Sequence, residues 1–280
     1  MNPISESLGR QIEILNPEIT RGRIRHAVFD FDGTLSLIRE GWQDVMVPLM
    51  VETLSGLGTG ESEDELRLLI LEYVTRLTGK QTIYQMIELA DQVRRRGGTP
   101  LDPLEYKHEY LRRLEARIQN RIAGLERRTL DRETLLLPGS IELLDALRER
   151  KVTMYLASGT DEPFVIREAK LLGIDAYFDG GIYGALDNYK NFSKQMVIDR
   201  IIRDHGLEGP ELLGIGDGYV EIENTKSVGG IALGVPCLES DPYSFDLWKK
   251  DRLKIAGADL LIPNFLEHQA VLNYLFDATA

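Results

Sequence analysis

With 280 residues, 43% hydrophobic and 28% charged, the chain has the make-up of a folded protein with room for one large α/β domain and a smaller satellite. A formal net charge of −12 excludes nucleic acid as the expected partner, because phosphodiester backbones bind basic surfaces, but leaves open a small phosphorylated ligand held by a cation and a lysine in one cleft. No apolar run approaches the ~18 residues of a membrane helix. The first 23 residues lack a leader-like apolar block, and the lone Cys237 cannot close an internal disulfide, so no membrane partner and a cytoplasmic location are expected.

Short apolar segments alternate with helical patterns, which predicts a parallel sheet covered by helices. The first strand is expected over Ile24–Phe29. From about Ser36 to Leu137 strand-like alternation disappears, and three charged stretches with helical periodicity follow, at Glu63–Leu77, Ile83–Arg95 and Leu104–Ile122. Pro100 and Pro103 break the second of these from the third. That is far too much chain for a simple crossover, so the stretch reads as an inserted helical domain over the end of the first strand. The sheet pattern then resumes with a helix at Ser140–Arg150 and a strand at Val152–Ala157. Further strands are expected at Glu211–Gly214, Gly230–Leu233 and Asp259–Ile262, with helices at Pro163–Leu172, Ser193–Asp204 and Asn264–Phe276. The expected division is an extension over 1–23, a core of 24–35 plus 138–280, and a helical cap over 36–137.

The strongest local signal is Asp30-Phe31-Asp32-Gly33-Thr34-Leu35, directly after the first strand. In a parallel sheet the carboxyl ends of the strands face the ligand crevice. Two residues apart on extended chain, both carboxylates leave on the same side, and Gly33 permits a sharp turn. An acidic Asp-Gly turn is the plain alternative, but it does not explain an aspartate at the end of a buried strand, which is costly without a compensating cation.

This hexapeptide resembles the nucleophile motif of the haloacid dehalogenase superfamily, and three further segments match that family's other motifs in order. Ser158, in Leu156-Ala157-Ser158-Gly159-Thr160, ends the next core strand; alone, Ser-Gly-Thr would pass for a turn. Lys194 follows Ser193, a good N-cap, at a helix start, with Lys190 as competitor. Leu212-Leu213-Gly214-Ile215-Gly216-Asp217 ends in an acidic turn, followed at Glu221 by a glutamate where the family often has aspartate. Pro138-Gly139 is typical of the capped branch, and the resemblance spans roughly residues 24–276.

The resemblance implies a Rossmann-like parallel-sheet core with an inserted α-helical cap, acting on a small phosphorylated metabolite. It assigns Asp30 as nucleophile and Asp32 as the proton shuttle. Ser158 and Lys194 would hold the phosphoryl oxygens, with Gly33, Thr34 and Gly159 around them. Mg²⁺ would be bound through Asp30, the Asp32 carbonyl and Asp217, with Glu221 reaching it through water or holding Lys194. Dehalogenases and phosphonatases of the superfamily lack an aspartate at the position of Asp32, so phosphate-ester chemistry is implied. A phosphatase is expected first, a sugar phosphomutase second, and a non-catalytic phosphate-ligand binder third. Within the cap, Thr78-Gly79-Lys80-Gln81-Thr82 interrupts two helical patterns. There Lys80 is either a substrate contact or a solvated residue after a helix C-cap.

Overall fold

A computed structural model describes residues 11–277. Its strands, in chain order, are β1 (Glu13–Ile14), β2 (His26–Phe29), β3 (Thr153–Asp161), β4 (Gly181–Ala185), β5 (Leu212–Gly216), β6 (Ile231–Gly234), β7 (Cys237–Leu238), β8 (Asp241–Phe245) and β9 (Leu260–Leu261). Seven of them form one sheet in the order β1-β9-β6-β5-β2-β3-β4, parallel throughout except for β1 against β9. β7 and β8 pair separately as a hairpin. All of β2 and β5 is buried, so these central strands read as continuous apolar runs rather than alternating ones.

The helices are α1 (Gln43–Ser55), α2 (Glu63–Leu77), α3 (Thr82–Arg95), α4 (Pro103–Glu126), α5 (Ser140–Glu149), α6 (Glu162–Leu172), α7 (Lys194–His205), α8 (Tyr219–Ser227), α9 (Leu247–Ala256) and α10 (His268–Phe276). The first four make up the insert. Ser62 and Glu65 form a capping box at the start of α2, and Asp102 does the same for α4 with Pro103 in its first turn. Their apolar stripes, among them Ile70, Val74, Met86, Leu89, Leu114 and Ile118, bury against one another in the cluster that also holds Phe29, Phe31 and Leu35. The chain enters and leaves this insert side by side. Leu37 N–H donates to the Leu135 carbonyl at 2.9 Å and Leu137 N–H to the Leu35 carbonyl at 3.0 Å.

The expected strands and helices appear, most of them with shifted ends; the last strand shrinks to Leu260–Leu261 and the last helix begins at His268. Four features are additional. The helix α1 carries Pro48 inside it, a residue that obscures helical periodicity by removing a donor. The edge strand β4 is glycine-rich, and the β7–β8 hairpin with α9 fills the stretch between two expected strands. Finally, Glu13–Ile14, within the extension, adds an antiparallel edge to the sheet.

Candidate active site

Asp30 follows the last residue of β2, and its N–H donates to the Ile215 carbonyl of β5, so the ladder fixes its backbone at the sheet centre. The turn beyond it needs Gly33, whose φ of +75° suits glycine; a Cβ there would lie 2.5 Å from Asp217 Oδ2. Asp30 Oδ1 accepts the Phe31 N–H at 2.7 Å and pairs with Lys194 Nζ at 2.8 Å. Ser193 caps α7 through the Met196 N–H, which sets Lys194 at the first helical position, buried and aimed inward. Lys190 lies exposed on a short 3₁₀ turn and does not reach the cleft.

Glu221, on the first turn of α8, brings Oε1 onto Lys194 Nζ rather than onto Asp217, and its Oε2 is buried with no hydrogen-bond partner. Room for it comes from Gly218, where a Cβ would stand 2.3 Å from Oε2. Asp217 is gripped on three sides. Its N–H donates to Thr34 Oγ1 at 3.0 Å, Oδ1 faces the same hydroxyl at 3.3 Å, and Oδ2 accepts from Lys249 Nζ at 2.7 Å. Lys249 also donates to Glu239 Oε1 at 3.1 Å. The Thr34 hydroxyl is therefore turned to Asp217, and Thr34 does not line the cleft.

On the other side, the β3–β4 register slips between Ala157 and Asp161, and the irregularity releases Ser158–Thr160 from the ladder. Asp32 Oδ2 then accepts from Thr160 Oγ1 at 2.7 Å and Ser158 Oγ at 3.3 Å. Asp32 Oδ1 is buried with no hydrogen-bond partner, 3.9 Å from Arg39 Nε. Gly159 packs against the cap loop, where a Cβ would come 2.9 Å from the Lys80 carbonyl. The neighbouring Gln81 is buried and donates through Nε2 to the Phe192 carbonyl at 2.7 Å. Lys80 itself is exposed at the cleft wall, its ammonium 6.0 Å from the centre of the Tyr84 ring.

These groups surround a cleft of about 640 Å³ between the strand ends and the insert. Burial pushes the Asp30 carboxyl up to about 6; Lys194 opposes the rise and the Asp217 charge adds to it. Burial also raises Asp32, against the pull of Arg39, and raises Glu239, against the pull of Lys249. Five carboxylates (Asp30, Asp32, Asp217, Glu221, Glu239) thus face two ammonium groups (Lys194, Lys249) in a largely buried space. Such an excess suits a hard divalent cation with oxygen ligands. Among the described residues no three acidic, histidine or cysteine side chains converge as a cage. A cation here would complete its shell with water, backbone and ligand oxygens.

Thr160 could have been read from the sequence, standing beside Ser158 in the same turn. Arg39, paired with the buried Glu168 on α6 at 2.6 Å, Lys249 and Glu239 could not, because only tertiary folding brings them to the motif residues.

Several solved structures share this architecture. A predicted phosphoglycolate phosphatase from Haemophilus somnus 129PT superposes with a TM-score of 0.57 at 15% identity, over 89% of this chain and 98% of that one. A haloacid dehalogenase-like family protein from Streptococcus pneumoniae gives 0.56 at 20% identity, over 89% and 98%. The β-phosphoglucomutase of Clostridium difficile gives 0.57 at 14% identity, over 90% and 97%. At these identities the likeness concerns the fold. No curated protein matches the sequence. The haloacid dehalogenase-like hydrolase family model matches residues 24–229, which include every one of the four motifs and the whole helical insert, and the chain belongs to that family of hydrolases.

Proposed function

We propose that the protein is a Mg²⁺-dependent phosphatase acting on a small phosphorylated metabolite through an aspartyl-phosphate on Asp30. The observation that carries this reading is the pairing of two differently held carboxylates in one cleft. Asp30 is paired with Lys194 at 2.8 Å, while Asp32 has no lysine partner and accepts through Oδ2 from the Ser158 and Thr160 hydroxyls.

In this mechanism Asp30 attacks phosphorus in line, and Asp32 gives its proton to the departing ester oxygen. Water then attacks the same phosphorus, Asp32 takes its proton, and the Asp30–phosphorus bond breaks to release phosphate. Lys194 and the Ser158 hydroxyl stabilise charge on the equatorial oxygens, with the Gly33 and Gly159 backbone beside them. Glu221 is a positioning residue that holds Lys194. Asp30, the Asp32 carbonyl and Asp217 would hold Mg²⁺, which when bound offsets the repulsion between carboxylate and phosphate dianion. Thr34 acts here through Asp217. The reading takes 24–35 and 138–280 as the catalytic core, 36–137 as the cap, and the cytoplasm as the compartment.

A sugar phosphomutase is the second reading, favoured by the cap loop seated on the core at Gly159 and by Gln81, contacts of the kind through which a closed cap limits access of water. The test is Asp30→Asn, nearly isosteric and a poor nucleophile. With Mg²⁺ and a panel of phosphorylated metabolites, the wild type should release inorganic phosphate and the variant none above trace. Full retention by Asp30→Asn, with deamidation excluded, would remove Asp30 as nucleophile. An isomerised product instead of phosphate would select the mutase.

A further inference from the structure

Three consecutive residues of the loop between α2 and α3 meet three different segments of the core. Gly79, at a φ of +92°, sits where a Cβ would stand 3.4 Å from Val220 Cγ2 and 3.6 Å from Gly218 Cα, just beyond Asp217. The Lys80 carbonyl packs on Gly159, next to Ser158. Gln81 donates through Nε2 to the Phe192 carbonyl at 2.7 Å and to the Tyr189 carbonyl at 3.3 Å, on the segment that leads into Lys194. That segment, 186–193, belongs to no strand and holds one 3₁₀ turn, Tyr189–Asn191. The Phe192 side chain is buried in the cluster of Val28 and Val197, while its carbonyl is held from the cap. Tyr84, in the first turn of α3, adds an edge contact to Tyr189 with ring centres 5.8 Å apart. Gln81 is 6% exposed and does not line the cleft. Its Oε1 is buried with no hydrogen-bond partner, which costs free energy, so packing alone would favour an apolar side chain here. What the amide supplies is a donor for the two carbonyls.

We infer that Gln81 is a positioning residue for Lys194, through which the seating of the cap on the core sets the lysine against Asp30. Lys194 stands two residues beyond the held Phe192 carbonyl, at the start of α7, with its ammonium 2.8 Å from Asp30 Oδ1. Withdrawing the cap loop removes the donor from both carbonyls and frees the entry to the helix. Small displacements of a charge-stabilising group are costly in rate, because its effect depends on being in place before the reaction begins. Cap and core would then share one arrangement in which Lys194 is in register, and an open cap would be a less active one. This inference rests on the role given to Lys194 above.

Gln81→Leu keeps the size of the side chain and removes the donor. Acting at the phosphoryl end, it should lower kcat about 10-fold both on p-nitrophenyl phosphate and on the best phosphometabolite of the panel. In a Lys194→Met background the same change should cost less than about 2-fold, because no lysine is left to position. A merely structural role would instead take the same factor from both backgrounds. An unchanged kcat in Q81L, a loss confined to the metabolite, or equal losses with and without Lys194 would each overturn the inference while wild-type hydrolysis stands. Should Q81L fail to fold, Gln81→Glu, of the same length and without a donor, is measured by the same criteria. Full turnover in K194M alone would remove the role of Lys194 and this inference with it. A wild type that hydrolyses neither ester with Mg²⁺ would bring down the phosphatase reading itself.

Discussion

At Asp30, burial and the Asp217 charge push the carboxyl up to about 6, while Lys194 pulls the other way. The folded value lies above the ordinary 3.8 of an aspartate, so between them the folded protein keeps a proton that the unfolded chain has released. Stability from this group is therefore full below the unfolded value and is lost as pH rises through the folded one. In EDTA near neutral pH, Asp30→Asn should raise Tm, by roughly 2–4 °C for each kcal/mol relieved in a chain of this size. The gain should shrink toward pH 3, below the unfolded value of 3.8, where the wild-type carboxyl is mostly protonated in both states, and thermal unfolding at the two pH values checks it. An equal shift at both would show that Asp30 is not a strained carboxylate. Lys194 gives a second comparison at this scale. Lys194→Met should reduce turnover about 10³-fold or more, whereas Lys190→Met should have a mild effect, read from kcat on one ester. Asp30 and Lys194 were legible because each stands on a local signal: an apolar strand before a glycine turn, and a serine before a helix. Lys249 and Glu168 carry no such signal, since their partners Asp217 and Arg39 lie far off in sequence and the spacing encodes no contact.

Among the elements, helices with an unbroken apolar stripe and a polar cap were readable; Glu63–Leu77 is both expected and observed with the same ends. Elements defined by their neighbours were not. Strand β4 is an edge whose glycines carry no pattern, and β7 is a two-residue strand that exists only through pairing with β8. The loop between α2 and α3 combines both cases. Its break at Gly79 was visible, but its approach to the core, with Gly79 in reach of Val220 and Gly218 and the Lys80 carbonyl against Gly159, depends on the closed arrangement of the two parts. This placement makes the exposed Lys80 side chain a wall of the cleft. Lys80→Ala should raise KM for a natural phosphometabolite several-fold and leave p-nitrophenyl phosphate unaffected, in parallel steady-state titrations. Equal effects on the two esters would return Lys80 to the solvated surface.

For the molecule as a whole, the alternation of apolar strands and helices was enough to reveal a parallel sheet, and the helical interval from 36 to 137 enough to reveal an insertion. Strand order was not legible, because adjacency of β2 to both β3 and β5 is a pairing choice made across more than a hundred residues. The surplus of buried carboxylates predicts that Mg²⁺ binds the folded state alone. EDTA should silence activity and Mg²⁺ restore it, and at about 100 times Kd the ion should add about 2.7 kcal/mol to stability. That stabilisation should be larger near neutral pH than near pH 4, where protonated Asp30 competes with the ion, a contrast that calorimetry with and without Mg²⁺ would measure. The paired strands of chain at Leu35–Leu37 and Leu135–Leu137 have a further consequence, for how such proteins diversify. Because the insert is joined to the sheet at a single two-stranded stem, it can be exchanged for another without lengthening or rerouting the core. Asp30, Asp32, Ser158, Lys194 and Asp217 all lie outside that stem, so one helical module can be traded for another while these side chains keep their places in the core.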